Sequence, residues 1–353
     1  MPVQRLHFSE KARIQSLWVI VMSIKCTPQL RRGTFFLCLF SAVILLLRPA
    51  PAMEAVQEAL TLCSETIIPS LFPFLVLSSL LTALMPTGRL ERLLSPLTEP
   101  LFHLRGSSAV VLLLGFTGGY PVGVRTATAL YREGRLSRSD TERLLAFCNN
   151  SGPGFLLGVV GIGVFHSAHT GLMLYAIHIA AALLVGLVFR FYHSRSTASS
   201  IPAASSCSGQ TSLPRLFTDA VTGSFLAVLQ ICAFVLFFML TLRLLSITGL
   251  LSFLSGVLTT LFSPFGMNDT FATALIAGIL ELSTGSACLQ GVSLTVGSAA
   301  LAAFLLGWGG LSVHCQSLLF LLDAGLPSRT YFVGKLFQGV FSAILAALLF
   351  PLL

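Results

Sequence analysis

An apolar stretch from Ser107 to Tyr131 is as long as a membrane-spanning helix, but the run GGYPVG interrupts it in the middle. Arginines stand on both sides of this stretch: Arg89, Arg92 and Arg105 before it, and Arg132, Arg135, Arg138 and Arg143 after it. Positive charge favours the cytoplasmic side of a membrane, so both ends are predicted to lie in the cytoplasm. Each apolar half is about ten residues, or ~15 Å of helix, and reaches roughly the middle of a ~30 Å hydrocarbon core. The sequence predicts a re-entrant hairpin, whose broken backbone must be buried in protein or line a cavity.

The composition indicates an all-α polytopic membrane protein. Hydrophobic residues make up 55% of the 353, charged residues only 10%, and the mean hydropathy is +0.88. The net charge of +8 lies mostly in short segments between apolar runs, so it follows the membrane and predicts no nucleic-acid partner. The eight cysteines form no C-x-x-C pair and are interpreted as apolar thiols without a metal.

The apolar runs predict a path through the bilayer with a cytoplasmic N-terminus. The predicted crossings are 34–51, 65–85, 142–165, 171–190, 216–242, 292–322 and 331–352, with 107–131 and 269–290 as interrupted segments. The predicted divisions are a basic N-terminal arm (1–32), a transmembrane anchor (33–52), a first repeat (53–192), a Ser-rich cytoplasmic linker (193–215) and a second repeat (216–353). The anchor also has features of a signal peptide ending at Ala50-Pro51-Ala52, although we favour an uncleaved anchor. Lys335 is predicted to belong to the basic residues at the cytoplasmic start of the last crossing.

The two halves predict repeats of opposite orientation. The hairpin break GFTGGYPVG corresponds to GILELSTGSA at Gly278–Ala287, and LLAFCNNSGP corresponds to AAFLLGWGGLSVH at Ala302–His314. Paired interruptions in inverted repeats indicate a substrate site near the membrane midplane. The alternative is that these glycines only allow close helix packing. Because glycine, proline and polar residues coincide at the breaks, we favour a functional role.

Arg125 lies just after the first hairpin's turn, in a segment otherwise free of charge. A charge at that depth costs at least ~3 kcal/mol, so it needs a partner or an anion. The only acid in the second hairpin is Glu281, and an ion pair between these two residues is our hypothesis. The pair is either purely structural, or Arg125 binds a substrate carboxylate while Glu281 neutralises the empty site or takes a proton.

Asn149, Asn150 and Ser151 open a second break, before Gly152 and Pro153. Unwound backbone with amide and hydroxyl side chains can bind a polar solute or Na⁺. Alternatively, the asparagines only satisfy backbone groups that Pro153 releases. Weaker candidates are Ser283, Thr284, Ser286, Trp308, Ser312 and His314, and the lone histidines His178 and His314 are interpreted as packing residues.

The sequence contains no G-x-S-x-G, no H-E-x-x-H and no phosphate-binding Gly-Lys-Ser motif. We therefore expect neither an enzyme nor an ATP-driven pump. No cofactor is expected beyond a coupling cation, Na⁺ or H⁺, and the energy source would be an ion gradient or the solute gradient.

The run GFTGGYPVGVRTATALYREGRLSRSDTERLLAFCNNSGPGFLLGVVGIGVF, together with GILELSTGS, resembles the YlbJ-like sporulation integral membrane proteins, which carry the nucleoside recognition or Gate domain. That family is similar in architecture to concentrative nucleoside transporters. The resemblance implies two re-entrant hairpins and two broken helices around a solute and a cation. By matching position it implies a substrate site of Gly118, Gly119, Tyr120, Pro121, Gly123, Arg125, Asn149, Asn150, Ser151, Gly152, Glu281, Thr284 and Gly285.

The resemblance also implies a secondary transporter or facilitator of a small anionic solute, dipicolinic acid during sporulation, in the bacterial membrane around the forespore. The alternatives are a structural or assembly protein of a developmental membrane that does not transport, and a nucleoside transporter. The implied partners are the solute and the lipid bilayer, and self-association into a homo-oligomer is expected without a defined number of subunits.

Overall fold

The computed structural model describes residues 28–84, 87–104, 106–192 and 212–352, and it is built from helices without β-strands in those ranges. Most of the predicted N-terminal arm, up to residue 27, and the predicted linker from 193 to 211 lie outside the described residues. Contacts within the chain divide it into two units, the first ending at Ala52 and the second beginning at Met53.

The first unit contains helix α1, Pro28–Leu47, which is long and apolar enough to cross a membrane. None of its side chains is buried. The helix is interrupted at Arg48, and Pro49 opens the next helix. Proline has no N–H to donate to the preceding turn and suits the first position of a helix, which explains the break.

The following helices are α2 Pro49–Leu62, a π-helical turn Cys63–Ile67, α3 Ile68–Leu84, α4 Thr87–Phe102, α5 Ser108–Thr117, α6 Val122–Arg132, α7 Arg138–Leu145, a π-helical segment Gly154–Val164 and α8 Ala168–Phe189. After residue 212 come α9 Leu213–Ile247, α10 Leu250–Phe262, a 3₁₀ turn Ser263–Phe265, α11 Asp269–Leu280, α12 Leu282–Ala287, α13 Val296–Trp308, α14 Gly310–Asp323, α15 Arg329–Leu349 and a 3₁₀ turn Phe350–Leu352.

Within the described ranges, six helical stretches are long and apolar enough to span a membrane. They are Pro28–Leu47, Pro49–Leu77, Ala168–Phe189, Leu213–Ile247, Val296–Asp323 and Arg329–Leu349. A seventh is possible if α10 and α11, which meet at 118°, count as one bent span. The prediction of a multi-pass all-α membrane protein is confirmed at this level. The predicted crossing at 65–85 is too short, because helix begins at Pro49 and runs through the π-helical turn into α3.

Helix breaks occur at all four predicted places. The chain leaves helical geometry between Thr117 and Val122, at Glu281 and at Gly309. It also does so between Leu145 and Gly154, where it forms hydrogen-bonded turns. In α4, Leu93 is 75% exposed, as expected for a helix with an apolar outer face.

Glycines allow the second break to pass through the interior. A Cβ atom at Gly115 in α5 or at Gly123 in α6 would overlap the carbonyl oxygen of Cys148. A Cβ atom at Gly334 in α15 would overlap the carbonyl of Ala146 in the same way. Residues 146–148 are therefore enclosed by three helices that approach their backbone directly, and the close-packing role of glycine applies at these positions.

The apolar core next to the breaks joins the π-helical segment with α8, α11 and α13. Leu156, Val160, Ile177 and Leu305 are among its buried members. Helices α13 and α15 also approach closely, because a Cβ atom at Gly307 would lie 2.6 Å from the Cα of Gly339. This packing fixes α15 beside the broken segments.

We predict that Gly123→Ala lowers the stability of the folded protein by roughly 1–3 kcal/mol, because the added methyl group forces α6 away from Cys148. Unfolding of the purified protein in detergent measures the change. Gly256→Ala in α10 is the matched control, since nothing lies within 4 Å of its added Cβ. Equal stability of the two variants would contradict the close packing of α6 on this break.

Candidate functional site

Lys335 in α15 has no exposed surface, although it carries an amine in the middle of the protein. Its Nζ donates hydrogen bonds to the hydroxyl of Tyr120 at 2.8 Å, to the carbonyl oxygen of Asn149 at 3.0 Å and to Oε1 of Gln338 at 2.8 Å. An ammonium group has three N–H donors, so each donor has an acceptor. Lys335 therefore joins the first break, the second break and α15 at one point.

Helix α15 presents a polar stripe to the interior. Tyr331, Lys335, Gln338 and Ser342 are spaced by four, three and four residues, which places them on one face of the helix. All four are fully buried. Because the rest of α15 is largely apolar, this face requires polar neighbours, and the second break supplies them.

Asn149 connects the second break to α14 and α15. Its Nδ2 donates to Oγ of Ser317 at 3.0 Å and to the hydroxyl of Tyr331 at 3.3 Å. The Tyr331 hydroxyl also lies 3.0 Å from Nδ1 of His314. Asn149 thus binds partners far along the chain instead of satisfying its own turn.

Asn150 makes one hydrogen bond within the break and one to α15. Its Nδ2 donates to the carbonyl of Phe147 at 2.8 Å, which stabilises the break locally. Its Oδ1 accepts a hydrogen bond from Nε2 of Gln338 at 2.7 Å. The adjacent backbone N–H of Ser151 donates to Nε2 of His178 at 3.1 Å. These contacts bring α8 into the same network.

We call this network the polar core and define it as Tyr120, Asn149, Asn150, His178, His314, Ser317, Tyr331, Lys335 and Gln338. Both histidines belong to it, so the interpretation of them as isolated packing residues is incomplete. Within the described part of the chain, Oδ1 of Asn149, Nδ1 of His178 and Nε2 of His314 are buried without a hydrogen-bond partner. Native proteins leave few such atoms unpaired, so this core retains hydrogen-bonding capacity.

Among the described residues, no carboxylate lies within 4.0 Å of the Lys335 amine. Its contacts are the three oxygens and the face of the Tyr120 ring, whose centroid is 4.9 Å from Nζ. A buried cation without an anionic partner is costly, and buried charges are normally paired. An anion in the polar core would stabilise the charged form of the Lys335 amine.

A cavity of about 50 Å³ adjoins the polar core, with room for a few water molecules. We call it the central cavity. Its walls come from three of the breaks and from α3, α9 and α14. Six residues of the predicted site line it, namely Gly118, Gly119, Tyr120, Ser151, Gly152 and Glu281. Tyr120 both lines the cavity and contacts Lys335, so it connects the cavity with the buried amine.

Glu281 is 2% exposed and caps the N-terminus of α12. Its carboxylate accepts hydrogen bonds from the backbone N–H groups of Ser283 at 3.0 Å and Thr284 at 2.6 Å. It also accepts a hydrogen bond from the hydroxyl of Thr284 at 2.7 Å. These donors stabilise its negative charge, because a helix N-terminus favours an anion. The predicted site residue Gly285 packs against Gly278 instead of the cavity.

Arg125 does not pair with Glu281, so the predicted ion pair is wrong. Helix α6 buries Gly123, Val124 and Ala127 against the interior, and the helical repeat turns Arg125 to the opposite, exposed side. Arg125 lines a different cavity, which also contains Asp219. Of the other predicted residues, Pro121 is buried at the turn of the first break, where its bond to Tyr120 is cis.

Lys335, Gln338 and Tyr331 were not predicted from the sequence as residues of the site. Lys335 was grouped with basic residues at the membrane boundary, but the structure buries it completely. Two signals were available. Lys335 is the only lysine after Lys25, and the spacing of polar residues in YFVGKLFQGVFS marks one helix face inside an apolar run. Among the weaker candidates, Ser312 lines the central cavity and Trp308 donates to the carbonyl of Ile279 at 3.3 Å.

Comparison with known proteins is consistent with this architecture. A family model described as "Nucleoside recognition" matches residues 65–193, which contain the first two breaks. The chain is also 30% identical over 335 residues to the sporulation integral membrane protein YlbJ of Bacillus subtilis (strain 168), covering 90% of this chain and 81% of that protein. Similarity of this extent places the chain in the family of the sporulation integral membrane protein YlbJ.

Proposed function

We propose that this protein is a secondary transporter or facilitator of a small anionic solute. One observation carries the proposal: separate helix breaks meet at a single buried polar core that contains the amine of Lys335. Irregular backbone inside a membrane protein is tolerated where it lines a cavity, and discontinuous helices commonly form transporter binding sites.

In the proposed topology, the α5–α6 pair and the α11–α12 pair are re-entrant hairpins that belong to inverted repeats. The basic residues on both sides of the first pair support this arrangement, as does the shortness of its helices, at 10 and 11 residues. The binding site then lies near the membrane midplane, with the N-terminus in the cytoplasm. All residues of the site come from one chain, so self-association is compatible with it but not required.

The charge of the site favours an anionic solute. The amine of Lys335 has no carboxylate nearby among the described residues, whereas the carboxylate of Glu281 is already bound by three donors. An aromatic dicarboxylate could bind the Lys335 amine in exchange for one of its present acceptors and pack against Tyr120. Since the similar Bacillus protein is a sporulation protein, we propose dipicolinic acid as the solute and the membrane around the forespore as the location.

Transport requires movement, because the central cavity is smaller than an aromatic dicarboxylate. We propose that the hairpins shift against α3 and α9 to admit the solute. The sequence has no ATP-binding motif, so the energy would come from the solute gradient or from a coupled Na⁺ or H⁺.

A nucleoside is the second candidate solute, because the matching family model is described as "Nucleoside recognition". The amides of Asn149 and Gln338 could bind a base or a ribose. A buried amine adds no advantage for a neutral solute, and this difference in charge separates the two candidates.

We predict that liposomes containing the purified protein take up labelled dipicolinate faster than empty liposomes, and that excess uridine does not compete. Lys335→Met should lower uptake at least about tenfold, equivalent to ~1.4 kcal/mol, because it removes the amine that an anionic solute would bind in the polar core. Arg132→Gln is the control, since Arg132 is exposed and lies outside the polar core.

Unfolding measurements would first establish that Lys335→Met remains folded, and Tyr120→Phe, which only removes the hydroxyl, provides a milder test. Competition by uridine would favour the nucleoside. Absence of uptake of either solute by the folded wild type would contradict transport and favour a structural role in the developmental membrane.

The topology is tested by labelling single introduced cysteines with a membrane-impermeant thiol reagent, and mass spectrometry distinguishes them from native cysteines. We predict that Glu99→Cys and Arg132→Cys, on either side of the first hairpin, react from the same face of the membrane. His169→Cys, at the start of α8, should react from the other face. Reaction of Glu99→Cys and Arg132→Cys from opposite faces would make the hairpin an ordinary crossing.

A further inference from the structure

A second cavity, of about 390 Å³, lies between α3, α5, α6 and α9. We call it the side chamber. Its lining includes Leu75 and Ser79 of α3, Val122 and Arg125 of α6, and Asp219 and Ala227 of α9. It is much larger than the central cavity, and Arg125 faces into it, so the residue that the sequence analysis assigned to the substrate site belongs here.

The two cavities follow one another along the same helix faces. On α3 and the turn before it, Ile67 and Leu71 line the central cavity, Ser79 lines the side chamber, and Leu75 lines both. These four positions are four residues apart, which is one face of a helix.

Helix α9 repeats the pattern. Six of its residues between Leu216 and Ala227 line the side chamber. Ile231 and Val235 continue the same helix face along the central cavity. The order of residues on α9 therefore runs from one cavity to the other without a change of face. The two cavities therefore lie one after the other along both α3 and α9.

An apolar cluster contributes lining residues to both cavities. Leu75 and Val228 are buried within it, and Val122, Ala227 and Ile231 pack against it. No hydrogen bond has to break when apolar side chains of this kind change rotamer, so such a barrier can open at low cost compared with a polar one.

The charge of the side chamber suits an anion. The guanidinium of Arg125 has no carboxylate within 4.0 Å in the described parts of the chain. The acid that lines the chamber, Asp219, is exposed and lies 3.9 Å from Nε of the exposed Arg215. Arg125 is thus the cation available to an entering solute.

We propose that the side chamber is the antechamber of the central cavity, that Arg125 attracts the anionic solute into it, and that Leu75 is the gate between the two. This inference rests on the proposed transport function and extends it to the route of entry. Arg125 attracts the solute before it reaches the polar core, and Lys335 then binds it there.

The gate is tested without any solute, by the reactivity of Ser312→Cys in the central cavity. The variant also carries Cys315→Ser so that a single thiol is followed in that peptide, and a small aqueous thiol reagent is used. We expect Ser312→Cys to be unreactive when Leu75 is present and to react at least about tenfold faster with Leu75→Ala. Leu77→Ala, which truncates an exposed leucine on the same helix, should have no effect.

If Leu75→Ala does not fold, Leu75→Val gives the same comparison with a smaller truncation. Equal reactivity of Ser312→Cys with and without the truncation would overturn the gate, whether or not the protein transports dipicolinate. This result is therefore distinct from a failure of the proposed function, which would be the absence of uptake by the wild type.

The role of Arg125 is tested by the kinetics of dipicolinate uptake. We expect Arg125→Gln to raise KM about tenfold while leaving the maximal rate nearly unchanged, because Arg125 concentrates the solute and does not bind it in the polar core. Raising the ionic strength should raise the KM of the wild type and have little effect on Arg125→Gln, since salt screens exposed charges. A loss of maximal rate with unchanged KM, or the same KM change in Arg132→Gln, would overturn this assignment.

Discussion

The architecture of the second unit depends on the amine of Lys335 and its three oxygen acceptors. Each acceptor belongs to a different part of the site: the hydroxyl of Tyr120 to the first break, the carbonyl of Asn149 to the second, and the amide of Gln338 to α15. Charged hydrogen bonds are stronger than neutral ones, and their strength increases away from water. One buried amine can therefore hold three elements that would otherwise expose unpaired polar groups.

The breaks themselves follow from backbone chemistry. Each interruption of a helix releases N–H and C=O groups, and in a membrane these must bind other protein groups or water in a cavity. At the second break, Asn150 and Lys335 satisfy carbonyls of Phe147 and Asn149, and His178 accepts the N–H of Ser151. Glycines on the neighbouring helices let the broken segment approach closely enough for these bonds to form. Packing and polar chemistry thus support the same geometry.

Sequence alone predicted the features that depend on local chemistry. The helix breaks were found correctly because glycine, proline and asparagine concentrate there, and membership of the YlbJ family followed from the same blocks.

Features that depend on which way a helix faces were not predicted. Arg125 was assigned to the central site, although an orientation of α6 that buries Gly123 places Arg125 on the exposed side. Lys335 was treated as a boundary charge, because counting charges by segment ignores the polar stripe along α15. The start of α2 at Pro49 was missed because residues 52–64 are not strongly apolar, yet they continue a helix.

The burial of Lys335 can be measured directly, because the chain has only two other lysines, Lys11 and Lys25. Acetylation of the purified protein with an amine-specific reagent, followed by mass spectrometry, gives the rate at which Lys335 reacts. A polar core built on this amine predicts that Lys335 is at least about a hundredfold less reactive in the folded protein than after unfolding, equivalent to ~2.7 kcal/mol of protection. Equal rates before and after unfolding would place the amine in contact with water and contradict a buried lysine at the meeting point of the helix breaks.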